Sequence, residues 1–180
     1  MAQRRSYTGL IIAGVVIVIL ILIVSWYVGT RNSLVQMEEE VSASWSEVEN
    51  QLQRRSDLIP NLVNTVKGFA AQEEEVFTSI ADARARLAGA QGVEETAESY
   101  GELQSALSRL LVIVENYPQL RSNENFIRLQ DELAGTENRI AVARRRYNES
   151  VRRFNTRVRM FPTAMIASQL GFEQKEYFEV

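Results

Sequence analysis

The side chains best placed to do chemistry in this chain are charged ones that break an apolar pattern. Arg54-Arg55-Ser56-Asp57 stand in a row, and Pro60 follows closely. Arg55 falls on a seven-residue apolar seam, and Glu73 interrupts a companion seam. A charge on a seam built for burial needs a partner from another helix, and Glu137 and Arg139 are candidates. Polar seam residues of this kind fix register and partner choice in helical bundles. The sharper alternative is a polar pocket where Pro60 bends the helix. A second concentration is basic: Arg144, Arg145, Arg146, Arg152, Arg153, Arg157 and Arg159, with Glu149 among them. Such a run suits a solvated face near a helix C-terminus, or a surface for anionic lipid or an acidic partner. The acidic runs Glu38-Glu39-Glu40 and Glu73-Glu74-Glu75 could meet it across a subunit boundary.

Other chemistry is narrowed by what the chain lacks. It has no histidine and no cysteine. Imidazole bases, thiolate nucleophiles, disulfides and the usual nitrogen and sulfur metal ligands are therefore excluded. A carboxylate di-metal bundle would need Glu-x-x-His pairs. Walker A, dinucleotide and nucleophile-elbow patterns are absent as well. The expectation is a non-enzyme without cofactor or metal, a hydrolase using carboxylates alone being the weakest rival. With a net charge of -3, nucleic acid is not an expected partner.

Residues 1–9 form a short polar leader with Arg4 and Arg5, and residues 10–28 are an uncharged apolar run. At about 1.5 Å per residue that run spans the roughly 30 Å hydrocarbon core of a bilayer. It is longer than a signal-peptide core, and Ser25-Trp26-Tyr27 is no small-residue cleavage site. A retained transmembrane anchor is expected, with Trp26 and Tyr27 at the interface. Arg4 and Arg5 on one flank, against Arg31 and then Glu38-Glu39-Glu40 on the other, favour a cytoplasmic N-terminus and an extracytoplasmic domain over residues 31–180.

Beyond the anchor the periodicity is helical. Trp45, Leu52, Ile59, Val66, Ile80 and Leu87 form one seam; Val41, Val48, Leu62, Phe69, Val76 and Ala83 form its companion. This narrow stripe belongs to a coiled-coil-like helix packed on others. Pro60 either kinks one long helix or sits in the first turn of a new one capped by Asp57. The unbroken heptad phase favours the kink, with reversal at Asp57–Pro60 as the alternative. Gly89-Ala90-Gln91-Gly92 marks a turn, and a second helix carries Tyr100, Leu103, Leu107, Leu110, Val114 and Tyr117 up to Pro118. A third starts near Ser122-Asn123 with the seam Phe126, Leu133, Ile140, Tyr147, Phe154 and Phe161. Thr163 to Leu170 reads as a short helix closed by Gly171. The tail's Phe172, Tyr177 and Phe178 suggest that it docks on something. The fold class is all-α: a transmembrane helix, then an elongated antiparallel bundle of three long helices, or four with the reversal. A helix from Leu34 to Leu87 would be about 80 Å long, more than the second helix can cover. Trp45, Leu52 and Ile59 are therefore the candidate interface for a second copy.

Three groups of residues resemble the LemA family of bacterial single-pass membrane proteins. They are Trp45-Ser46 with Gln51 to Val63 and Val66-Lys67-Gly68-Phe69; Tyr117-Pro118, Leu120, Phe126, Leu129-Gln130, Glu132-Leu133 and Thr136 to Ile140; and Tyr147-Asn148, Val151, Phe154-Asn155, Phe161-Pro162, Gly171-Phe172 and Tyr177-Phe178. Gln72 departs from the pattern, since His-Glu often stands there in the family. The resemblance implies a helical bundle anchored in a bacterial cell membrane, with no catalytic residues to carry over. The resulting expectation is a homo-oligomeric scaffold that organises the membrane, with lipid as a partner and a membrane protein as a further candidate. Its rival is an adaptor or receptor that binds a peptide, lipid or membrane protease through the kink or the arginine-rich helix.

Overall fold

The computed structural model describes residues 2–180. Met1 and the side chains of Arg4 and Arg5 lie outside that description. Six helices follow in order: α1 Ala2–Lys67, α2 Glu74–Gly89, α3 Gly92–Val114, α4 Pro118–Arg121, α5 Glu124–Arg159 and α6 Thr163–Leu170. The fold is all-α, as the sequence periods require. The N-terminal part of α1 is long and apolar enough to cross a membrane. α1 continues through Gly29-Thr30 into the first bundle helix without interruption.

The first long helix is shorter than its seam. It ends at Lys67 rather than running on to Leu87, and the chain reverses over residues 68–73 rather than at Asp57–Pro60. Gly68 weakens the helix there, and the amides of Phe69 and Ala70 both turn back to the Val66 carbonyl at 2.9 and 3.0 Å. The heptad phase survives the reversal because both halves of the seam face one core. Ile59, Leu62 and Val66 from α1 meet Phe77, Ile80 and Ala83 from α2, with Leu103, Leu107 and Leu110 from α3 and Phe126 and Leu133 from α5. Folding back thus covers apolar surface that one straight helix would have left to another chain.

Pro60 stays inside α1, and its lost hydrogen bond is replaced from outside. A proline at this position cannot donate to the carbonyl of Ser56. Arg84 Nε on α2 donates instead, at 3.1 Å to the Ser56 carbonyl and 3.1 Å to Ser56 Oγ. The orphaned carbonyl thereby becomes the point at which α2 is fastened to α1. Replacing Arg84 by leucine is expected to destabilise the protein by about 2 kcal/mol. In a Pro60→Ala background, where the helix satisfies Ser56 itself, the same change should cost under half as much. Denaturant titration of the two singles and the double checks this, and equal costs in both backgrounds would refute the fastening.

The chain resolves into two compact units. One comprises residues 1–40 and 153–174; the other comprises residues 41–152 and 175–180. In the first, Leu34, Phe154, Ile166 and Ala167 are buried, Arg153 pairs with Glu40 at 2.5 Å, and Phe172 stands edge-on to Phe154 at 6.3 Å. Gly171 closes α6 at φ 76°, the left-handed C-terminal position where glycine is unstrained. In the second, Asn123 Oδ1 caps α5 by accepting from the Phe126 amide at 3.1 Å.

Candidate functional site

A partly buried polar cluster links three helices of the second unit. Glu137 on α5 accepts from Arg55 on α1, from the Tyr100 hydroxyl on α3 at 2.5 Å, and from Gln104 Nε2 at 2.8 Å. Tyr100 and Gln104 lie one turn apart on α3, so both reach the same carboxylate. Gln104 Nε2 also donates to the Tyr100 oxygen at 3.0 Å, and the Arg55 guanidinium lies 5.8 Å from the Tyr100 ring centre. Burial, then the bond to Glu137, pushes the Tyr100 hydroxyl far above its ordinary range, so it stays protonated, donating to Glu137 and accepting from Gln104. Beside the cluster lies a recess of about 220 Å³ walled by Leu62, Leu107, Leu111 and Leu133. Arg55 Nε is buried without a hydrogen-bond partner.

This arrangement fastens α1, α3 and α5 in one register. Glu137 already accepts from three donors, which leaves it poorly placed as a catalytic base. Arg55, the polar residue on the seam, has its partner in Glu137 on another helix. Arg139, the other candidate partner, is exposed. Among the described residues no cluster of three or more carboxylates is placed to hold a metal ion.

Glu73 does not occupy the bundle core. It lies in the reversal before α2, half-buried, where its carboxylate accepts from the Tyr117 hydroxyl at 3.4 Å. The neighbouring Gln72 donates to the same hydroxyl at 2.5 Å, so the glutamine at this position ties the reversal to the turn between α3 and α4. The candidate interface residues are largely spent inside the chain. Leu52 is 4% and Ile59 1% exposed, and half-buried Trp45 packs at a tilt against Tyr147 and Phe178, with ring centres 5.1 and 5.8 Å away. A second copy cannot use Leu52 or Ile59 without unfolding the bundle, because α2, α3 and α5 already cover the core around Ile59.

Three arginines of the basic run meet acidic partners within the chain. Arg146 meets Glu47 at 3.1 Å, Arg152 meets Glu149 at 2.6 Å, and Arg153 meets Glu40. Arg145 is exposed and Arg144 half-buried. These exposed pairs contribute little to stability, but they offset much of the positive charge that a docking face would use.

The periodicity did not single out the clamp on the C-terminal tail. Asn148 Nδ2 donates to the Phe178 carbonyl at 3.1 Å, and the Phe178 amide donates to Asn148 Oδ1 at 2.9 Å. The Tyr147 hydroxyl donates to the Glu176 carbonyl at 2.8 Å. Phe178 is 1% exposed, against Trp45 and Tyr100. The aromatic tail was a visible signal, whereas Asn148 as its receiver was not. Burial, then Glu176, pushes the Tyr147 hydroxyl up to about 12. A pKa raised on folding gives stability that is whole below the unfolded value of about 10 and falls as pH rises toward 12. Alkaline titration of stability should therefore fall more steeply over that window in the natural protein than in Tyr147→Phe; equal slopes would exclude Tyr147 as a contributor.

Comparison with known proteins converges with this architecture. The chain is 27% identical over 174 residues to magnetosome protein MamQ 2 of Paramagnetospirillum magneticum, covering 82% of this chain and 64% of that protein. It is 28% identical over 173 residues to magnetosome protein MamQ of Magnetospirillum gryphiswaldense, with the same coverage. Against protein LemA of Metamycoplasma hominis it is 24% identical over 124 residues, covering 68% of this chain and 56% of that protein. The chain thus spans less than two thirds of the length of these curated relatives. The LemA family pattern matches residues 44–180, which hold the Arg55–Glu137 cluster, the Ser56–Pro60 fastening and the tail clamp, and the chain belongs to the LemA family.

Proposed function

We propose that this protein is a non-catalytic, single-pass membrane scaffold whose helical bundle organises proteins at the membrane. The observation that carries this reading is α1, in which the apolar span and the first bundle helix are one unbroken element. The bundle's first helix is thus joined to the anchor by helical backbone and not by a flexible tether, which suits a scaffold. The arginines of the leader and the acidic flank beyond the anchor favour the bundle lying outside the cytoplasm. Protease added to spheroplasts should then digest the bundle while cytoplasmic controls survive; protection of the bundle would reverse the orientation.

Assembly of several copies is part of the proposal, through surface other than Leu52 and Ile59. The relatives named as magnetosome proteins are compatible with a role in membrane organisation. Native mass spectrometry of the full chain from lipid nanodiscs is the test. Symmetric oligomers are the expected result, and monomers at every loading would end the self-assembling scaffold. A second reading, an adaptor for a peptide or membrane protein, is favoured by the apolar recess beside Arg55. A monomer that retains one defined partner in the same measurement would support it.

A further inference from the structure

The third helix's seam loses its last member to solvent. Phe126, Leu133, Ile140, Tyr147 and Phe154 are all buried, but Phe161, in the same phase, is 81% exposed. α5 stops at Arg159, and Phe161 stands in the corner before α6. Met160 and Met165 flank it and are exposed as well. Three large apolar side chains at one corner, with exposed Arg159 and half-buried Arg157 behind them, form an amphipathic tip.

The height of that tip follows from its own compact unit. The Arg153–Glu40 pair sets α5 beside α1. The unit contains only residues up to Glu40 and residues from Arg153 to Gln174, so from this pair the α5–α6 segment runs back toward the anchor. Phe161 is eight residues past Arg153, and Asn32 is eight residues before Glu40. Phe161 is therefore level with about Asn32, roughly 6 Å beyond the last residue of the apolar run. That depth falls within the headgroup layer, which adds roughly 5–7 Å on each side of the hydrocarbon core. Thr30 and Leu34, at the same level of α1, are buried, which fits a segment packed against α1 there.

We infer that the α5–α6 corner is a second membrane contact: Met160, Phe161 and Met165 seat in the interfacial layer beside the anchor, and Arg157 and Arg159 face the phosphates of anionic lipid. Apolar side chains backed by arginine are what a headgroup boundary accepts. Exposed Arg31 lies at the same height on α1 and adds to the positive rim. The acidic Glu38 and Glu39 lie roughly 15 Å beyond the apolar run, outside that layer. The contact fixes the rotation of α1 about its axis, which an anchor alone leaves free.

Because the chain has no cysteine, single-site labelling of the full-length protein tests this directly. Phe161→Cys and Met165→Cys, each carrying an environment-sensitive fluorophore, are reconstituted in vesicles of phosphatidylethanolamine and phosphatidylglycerol. Some of the lipid carries a spin-label quencher near its headgroup. Labels at Val28 and at exposed Glu39 serve as membrane and solvent controls. The expected result is quenching at both corner sites at least about threefold above the Glu39 label, with blue-shifted emission. In a Phe161→Glu, Met165→Glu variant a label at Met160 should lose that quenching, while the Val28 label and the circular dichroism are unchanged. Quenching at the corner no greater than at Glu39 overturns the inference. A blue shift without quenching by lipid would also overturn it and assign the corner to a second protein chain instead.

Discussion

Replacing Glu137 by alanine should destabilise the bundle by about 3 kcal/mol, at the low end for breaking a buried ion pair. The change leaves the Arg55 guanidinium, whose side chain is 10% exposed, with only the Leu133 carbonyl at 3.4 Å. It also strips the acceptor from the Tyr100 hydroxyl and leaves Gln104 Nε2 with only the Tyr100 oxygen. The low end applies because Glu137 itself is 39% exposed, so water enters to replace part of what is lost. The expectation reverses when both partners go. Arg55→Leu combined with Glu137→Leu should lie within about 1 kcal/mol of the natural protein, since apolar packing can replace a buried pair. Denaturant unfolding of the detergent-solubilised full chain measures both. A cost below about 1 kcal/mol for Glu137→Ala would mean that the cluster does not hold the three helices together.

Removing the Phe178 side chain should cost about as much, roughly 3 kcal/mol, within the range for deleting a buried aromatic ring. The residue lies near a chain end, so the loss is limited by the cost of letting the tail peel away. Deleting Lys175 to Val180 should therefore be no worse than Phe178→Ala. Asn148→Ala, which removes both clamp hydrogen bonds, should be intermediate. Trp45 reports the event, because it loses a ring 5.8 Å away and gains water. Its emission should shift to the red in all three variants, while Trp26 in the apolar run contributes a constant background. Unchanged emission together with unchanged stability would show that the tail is not part of the core.

Comparing the helices with their seams shows where periodicity carries information and where it does not. A seven-residue phase reports which side of a helix is buried, and it holds at Val41, Val48, Leu52, Ile59, Leu62, Val66, Ile80 and Ala83 but not at Phe69, which is exposed in the reversal. It is blind to direction, because a chain that turns back on the same core keeps its buried residues in phase. That is why the break at Gly68 was hidden while the later turn at Gly89–Gly92, with two glycines, was plain. The same blindness made Leu52 and Ile59 look like surface for a second copy.

Pro60 misled in the opposite way. A proline inside a helix costs a hydrogen bond wherever the helix stands alone. Nothing in the local sequence says that Arg84, in a later helix, donates to the orphaned carbonyl. The charges behaved similarly. That Arg55 needed an acid was legible from its place on an apolar seam, and Glu137 was among the candidates. That Tyr100 and Gln104 would join it was not, because they come from a third helix.

Composition and period alone therefore determined the all-helical class, the apolar span, the capping of α5 by Asn123, the closure of α6 at Gly171 and the absence of imidazole and thiol chemistry. These depend on the residue itself or on neighbours within a turn or two, where geometry is set by the backbone. Only the tertiary structure decided the reversal at residues 68–73, the internal use of the long seam, the intrachain pairing of the arginines and the exposure of Phe161. Each of these depends on which distant surface arrives first to exclude water, and a one-dimensional pattern holds no record of that.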